Sequence, residues 1–214
     1  MRTYGQYCAI ARALDLVGDR WTLLIVRELL LQGACRYTDL RNGLPRIATN
    51  LLADRLRELE QSGLVESRVA PPPVATTLFA LTDRGRALQP VLRELVTWGA
   101  DLMPAGPTAG DAFRSHWLAF PLRLYLHAAP DQPPVTIELR TGDDSITIAA
   151  ASGELDVQSG RSTAPDLVLT GSPQLLLGSI SGMLSLDDAE SFGLVVEGDR
   201  EALGLLQDRT ASTL

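Results

Sequence analysis

Apolar residues recur at intervals of three and four over most of the first hundred positions. Ile10, Leu14 and Val17 fall on one face of a first helix that stops at Gly18; Trp21, Leu24, Ile25 and Leu29 mark a second that stops at Gly33. Asp19 stands ahead of the second, where a capping side chain belongs. The run YTDLRNGL reads as a short third helix broken by Pro45. IATNLLADRLRELEQSG then carries Ile47, Leu51, Leu52, Leu56 and Leu59 on one buried stripe and ends at Gly63. A short helix leading into a longer one with a single apolar stripe predicts a helix-turn-helix. The period then changes to two. Leu64–Val69 and Thr76–Thr82 read as strands around APPPVA, whose prolines lack ladder donors and so mark a loop. A hairpin in this place makes the motif a winged helix. Asp83 is placed to cap a last helix, DRGRALQPVLRELVTWGADL, with Leu88, Val91, Leu92, Leu95 and Trp98 on one side, and Pro90 inside it predicts a kink or a late start.

Two prolines and two glycines then interrupt the helical period, so residues 104–112 read as a linker between domains at 1–103 and 113–214. Beyond the linker the grammar changes. FRSHWLAFPLRLYLHA reads as one or two amphipathic helices interrupted near Pro121. Alternation follows in Val135, Ile137, Leu139; Ile146, Ile148; Leu155, Val157; and Leu167, Leu169, with Gly, Asp and Ser in the turns, which predicts an antiparallel meander. SPQLLLGSISGM reads as a helix starting at Ser172-Pro173, GLVVEG as a last strand and DREALGLLQD as a closing helix capped by Asp199. The fold class is α+β, a winged helix-turn-helix joined to a second α+β domain with an antiparallel sheet.

Charge changes the picture because it is unevenly spread. The chain has 214 residues, 45% hydrophobic and 21% charged, with a net charge of -7. No residue is lysine. Residues 1–103 hold 13 arginines against 11 carboxylates, whereas residues 104–214 hold 6 against 15. Acidity that would speak against a nucleic-acid partner therefore lies in the second half. No apolar run is long enough to span a membrane, and the start MRTYGQYCAI lacks the pattern of a signal peptide, so the expected location is cytoplasmic with no membrane partner. Two cysteines, Cys8 and Cys35, with His116 and His127 make neither a disulfide framework nor a four-ligand zinc site, and no metal or cofactor is expected. Neither G-x-S-x-G nor a P-loop occurs, and neither histidine sits in a nucleophile motif, which argues against an enzyme.

Three segments in this order, ARALDLVGDRWTLLIVREL, RYTDLRNGLPRIATNLLADRLRELEQSGLV and FALTDRGRAL with the Trp98-Gly99 ending, resemble the HxlR family of bacterial winged-helix regulators, a branch near MarR-type proteins. The resemblance implies a homodimer on double-stranded DNA, built through the first and last helices of the domain, with the fourth helix in the major groove. Residues 113–212 resemble a sterol-carrier-type lipid-binding domain through APDLVLTGSPQLLLGSISG and GLVVEGDREAL, which implies an apolar tunnel for a hydrophobic small molecule.

In such a motif the residues at the start of the recognition helix that point away from its apolar stripe meet base edges. These are Arg46, Thr49, Asn50, Ala53 and Asp54. Asn50 suits adenine, Arg46 a guanine or a phosphate, and Ala53 a thymine methyl. Arg36, Tyr37 and Thr38 begin the preceding helix and suit the phosphate backbone. Arg55, like Arg57, suits either a phosphate or a pair with Glu58 or Glu60. The family's wing usually carries a basic residue, but this one has none between Arg68 and Thr82, which leaves Arg68, Thr76 and Thr77 as backbone contacts and predicts a shallow salt dependence. In the second domain Trp117, Phe120, Leu124, Leu177, Ile180, Met183, Leu184 and Phe192 are the candidate ligand contacts, with Tyr125, His127 or Ser179 as sparse polar groups; the same residues also suit a packed core. Cys8 offers a competing sensor, an intersubunit thiol between dimer helices, with the second domain then purely structural. The expected function is a DNA-binding transcriptional regulator modulated by a hydrophobic ligand, with redox sensing, lipid carriage and enzyme activity as successive alternatives.

Overall fold

The computed structural model describes residues 3–71, 75–103 and 110–207, apart from the side chain of Leu124. The chain divides into two compact units at Trp98 and Gly99. Residues 104–109 of the expected linker, and 208–214, lie outside the described residues. No helix among those described is long and apolar enough to cross a membrane.

The first unit runs α1 (Ala9–Val17), α2 (Thr22–Gln32), β1 (Cys35–Arg36), α3 (Tyr37–Gly43), α4 (Thr49–Gln61), β2 (Val65–Val69), β3 (Thr77–Leu81), α5 (Asp83–Arg86) and α6 (Gln89–Gly99). The apolar stripe of α4 folds as its period requires, with Leu52, Leu56 and Leu59 buried, as are Ile25, Leu29, Leu40 and Leu44 of the same unit. Leu51 is half-buried at its margin. Gly63, at φ 68, ends the helix and turns the chain into β2, which pairs antiparallel with β3 from Val65 opposite Leu81 to Val69 opposite Thr77. The two-residue β1 adds a third strand on the far side of β3, too short for any period to announce it.

Two local expectations are corrected. Asp19 does not cap α2; its carboxylate turns to Arg55 on α4. Thr82, not Asp83, caps α5, its hydroxyl accepting from the Gly85 N–H at 3.1 Å, while Asp83 pairs with Arg86 at 2.7 Å. Of the two outcomes expected at Pro90 the late start is the one found: α5 and α6 are separate, and Pro90 lies in the first turn of α6, where a missing N–H costs nothing.

The second unit packs α7 (Ala119–Tyr125), α8 (Pro173–Ile180), α9 (Leu186–Ser191) and α10 (Glu201–Leu206) with a five-stranded sheet of β4 (Val135–Thr141), β5 (Asp144–Ala151), β6 (Glu154–Ser159), β7 (Leu167–Thr170) and β8 (Val195–Gly198). Leu122, Ile137, Leu139, Ile148, Leu167, Leu176 and Leu206 belong to its core. The first three strands form the expected meander. The fourth departs from it: β7 lies parallel to β4, so the sheet order is β6-β5-β4-β7-β8 and the sheet is mixed rather than antiparallel. Asp166 fixes that placement. Its carboxylate accepts from the Thr136 N–H at 2.7 Å, its own N–H donates to the Thr136 carbonyl at 2.8 Å, and its carbonyl accepts from Asp199 N–H at 2.7 Å. Ser172 caps α8 where the sequence starts that helix. The N-cap of α10 is Arg200 and not the expected Asp199, whose carboxylate accepts from the Glu201 N–H at 2.9 Å one residue ahead of it.

Candidate nucleic-acid interface

Burial of Leu52, Leu56 and Leu59 fixes which side of α4 is left for solvent. Thr49, Asn50 and Asp54 are exposed on it, and Ala53 is half-buried at its edge. Arg46 is exposed but lies ahead of the helix, in the turn, where it takes the left-handed φ of 74; α4 itself starts at Thr49 and not at Ile47, which is buried under the turn. A non-glycine residue in that region stores strain of the order of 1 kcal/mol or more. The Tyr37 hydroxyl, on the first residue of α3, donates to the Thr49 carbonyl at 2.6 Å and so fastens the start of α4. Arg36 begins α3 through its N–H, which donates to the Asp39 carboxylate at 3.0 Å; its side chain and Thr38 are exposed.

The guanidinium groups of α4 are engaged within the unit. Arg55 pairs with Asp19 and, at 2.7 Å, with Glu58. Arg57 pairs with Asp54 at 3.0 Å. On the wing Arg68 is exposed on β2, Thr77 is exposed on β3, and Thr76 is half-buried with its carbonyl held by Ala70 N–H at 2.8 Å. Residues 72–74 of the wing tip lie outside the described residues.

The helices expected to meet a second copy leave apolar surface in solvent. Ile10 is 72% exposed on α1 and Trp98 71% exposed on α6, with Leu14, Val91 and Leu95 beside them in sequence and also exposed. Ahead of α1 the chain folds back: Asp15 accepts from the Thr3 hydroxyl at 2.9 Å and the Tyr4 N–H at 2.8 Å. Cys8 is exposed immediately before α1. Cys35 is buried; burial foremost, then the charges of Asp39 and Glu28, push its thiol up to about 12 and keep it protonated.

In the second unit Ile180 is wholly buried, Trp117, Phe120, Leu177 and Leu184 are half-buried, and Met183 and Phe192 face solvent. The Leu124 side chain lies outside the described residues. Ser179 is buried with no hydrogen-bond partner for its hydroxyl among the described residues, while the Gln207 amide donates to the Ser179 and Ile180 carbonyls at 2.7 and 3.0 Å. Tyr125 is half-buried and His127 is exposed.

Sequence reasoning missed the long-range ties of α4. The Asp19–Arg55 pair joins positions 36 apart, and no local spacing signals it. Glu28 was also missed, although a carboxylate inside the apolar run LLIVRELLL was the available signal.

Residues 16–106 match the model of the HxlR-like helix-turn-helix family. Over 96 residues the chain is 36% identical to the HTH-type transcriptional regulator YodB of Bacillus subtilis, an alignment covering 45% of this chain and 85% of that protein. It is 37% identical over 90 residues to the uncharacterized HTH-type transcriptional regulator YvaP of the same organism, covering 42% and 82%. The solved reduced form of YodB is 34% identical and covers 48% of this chain and all of its own, with a TM-score of 0.41. Through its first unit the chain belongs to the HxlR-like helix-turn-helix family.

Proposed function

We propose that the chain is a DNA-binding transcriptional regulator that works as a homodimer on an inverted-repeat operator. The carrying observation is the start of α4, where Thr49 and Asn50 are exposed above a buried stripe and held by Tyr37. Asn50 reads adenine, Arg46 serves guanine or phosphate, and Ala53 meets a thymine methyl. Arg36, Thr38 and Arg68 contact backbone phosphates. The ion pairs of Arg55 and Arg57 leave a small set of phosphate contacts, so affinity falls less steeply with salt than for a ten-phosphate binder. The exposed faces of α1 and α6 supply the dimer contact, and two-fold symmetry puts the half-sites about one or two helical turns apart. Selecting duplexes from a random pool with the full chain, then footprinting, tests this. A palindromic consensus protected on one DNA face is expected; a single asymmetric half-site counts against it.

The second unit acts as the sterol-carrier-type ligand domain. The segments that carry that resemblance fold as β7, α8, β8 and α10 in the implied order, and Ser179 adds a buried hydroxyl beside Ile180. Native mass spectrometry of protein purified from its own host is expected to find a retained hydrophobic molecule. The exposure of Cys8 favours redox sensing as a second reading. If it holds, oxidant changes DNA affinity in the wild type and not in Cys8→Ser.

A further inference from the structure

We propose that Glu28 is a positioning residue for DNA reading, a buried charged clasp that holds α3, and through it α4, against α2. Its carboxylate is entirely removed from solvent. Oε1 accepts from Arg27 Nε at 3.0 Å and Nη2 at 2.7 Å, and Oε2 accepts from Gln32 Nε2 at 2.7 Å. This cluster abuts the last turn of α3. Arg27 Nη2 also reaches the Gly43 carbonyl at 3.5 Å. A Cβ built on Gly43 would fall on Glu28 Oε2 and stand 2.6 Å from its Cδ and 3.1 Å from Gln32 Nε2.

Gly43 is helical and needs no glycine for its backbone angle; the carboxylate occupies the place its side chain would take. Six residues later α4 begins. The Tyr37–Thr49 bond ties the top of α3 to α4, and the Asp19–Arg55 pair ties the approach to α2 to the middle of α4. The Glu28 cluster is the buried member of this frame. A desolvated carboxylate that accepts three hydrogen bonds tolerates little displacement, because a shift of α3 against α2 stretches bonds that no water is present to replace. The start of α4 is thereby presented at one angle, which base readout requires and phosphate contact does not.

The proposal rests on the DNA-binding reading, and the experiment separates the two. Folded full-length wild type and Glu28→Gln are titrated with the duplex that wild type selects from a random pool and with a scrambled duplex of equal length. Affinity for the selected duplex is expected to fall about tenfold or more, while scrambled-duplex affinity and the salt slope change by less than about twofold. An equal loss on both duplexes, or none, overturns the positioning role and leaves the DNA-binding reading standing. A wild type that selects no duplex overturns both. Urea unfolding supplies a readout independent of DNA: Gly43→Ala is expected to lower the midpoint in the wild type and to leave it unchanged or raised in Glu28→Ala, where the space is vacant. Equal cost in both backgrounds overturns the clasp itself.

Discussion

The two units dispose of their apolar residues differently. In the second, Ile137, Leu139, Ile146, Ile148, Leu167 and Leu169 all enter one core, while the exposed Met183 and Phe192 sit in turns and Val195 and Leu205 are exposed singly on β8 and α10. In the first, the stripe of α4 is equally satisfied, yet α1 buries only Ala11 and presents Ile10 and Leu14 to water. On α6 Leu92 is buried while Val91, Leu95 and Trp98 are exposed. Leaving such side chains in water forgoes roughly 25 cal/mol per Å² of apolar surface, so helices with apolar faces outward describe a unit that gains from a second copy. The second unit has no comparable helix face among its described residues. The proposed dimer would therefore associate through the first unit.

Placing charge in that exposed face is the strongest way to break the contrast. Ile10→Asp and Trp98→Asp alter residues exposed in the single chain, so circular dichroism is expected to show the fold retained, while sedimentation shows monomers and the urea midpoint loses the share that association contributes. Operator affinity is expected to drop by about a hundredfold or more, because two linked half-site contacts become one. A variant that remains dimeric assigns the interface elsewhere. An effect of comparable size, confined to the other unit, comes from Ile137→Ala. Deleting a wholly buried side chain is expected to cost about 2–5 kcal/mol in the unfolding of residues 113–207, with dimer mass unchanged. Loss of the dimer in this variant would show that the second unit contributes to association after all.

The stripe of α4 was legible because burial of a helix face repeats every three or four residues and leaves a pattern that survives without coordinates. The same pattern marks α1 and α6, but periodicity cannot state whether the chain itself or another copy covers a face. That information lies in exposure. The parallel placement of β7 was not legible for a related reason. Leu167 and Leu169 alternate as any strand does, and the partner is chosen by the Asp166–Thr136 backbone clamp across 30 residues. At the site, Thr49 and Asn50 follow from the period, whereas the departure of Arg46 from the helix turns on a single left-handed φ. Arg55 shows both limits at once: its pair with Glu58 is local and was foreseen as an option, and its pair with Asp19 was not.

Within the first unit the exposed polar start of α4 is sharpened by two smaller changes. Asn50→Ala is expected to cost about 1–3 kcal/mol of discrimination at one position of each half-site, read as lost preference for adenine when operators differing at that base are compared. Uniform weakening across all operators would make Asn50 a backbone contact. Arg46→Gly relaxes the left-handed turn and removes a cation together. Thermal unfolding is expected to show a gain of about 0.5–1 kcal/mol, and DNA titration a loss of a few fold, so stability and binding move in opposite directions. A variant that loses both shows that the side chain, not the strain, dominates at this position.

The smallest effect is a change of slope with pH, and it compares the buried carboxylate of the second unit with that of the first. Glu138 is fully buried on β4, where it accepts from Arg140 Nε at 2.7 Å and from Ser162 N–H at 3.3 Å. The Arg140 hydrogen bond, foremost, holds its carboxyl below the usual carboxylate range; burial opposes this, and the charge of Arg140, the Ser162 N–H and Arg161 reinforce it. An acid whose folded pKa lies below its unfolded one contributes stability that is complete above the unfolded value and is lost as pH falls through the folded one. The urea midpoint of residues 113–207 is therefore expected to decline in wild type as pH drops below about 4.3, the ordinary glutamate value, and to decline less in Glu138→Gln, which has no proton to bind there. Operator binding at neutral pH is expected to be the same in both proteins, in contrast to Glu28→Gln. Equal acid slopes in variant and wild type would move the acid sensitivity to other carboxylates, and altered operator binding would show that the crossover held by Glu138 communicates with the DNA-reading unit.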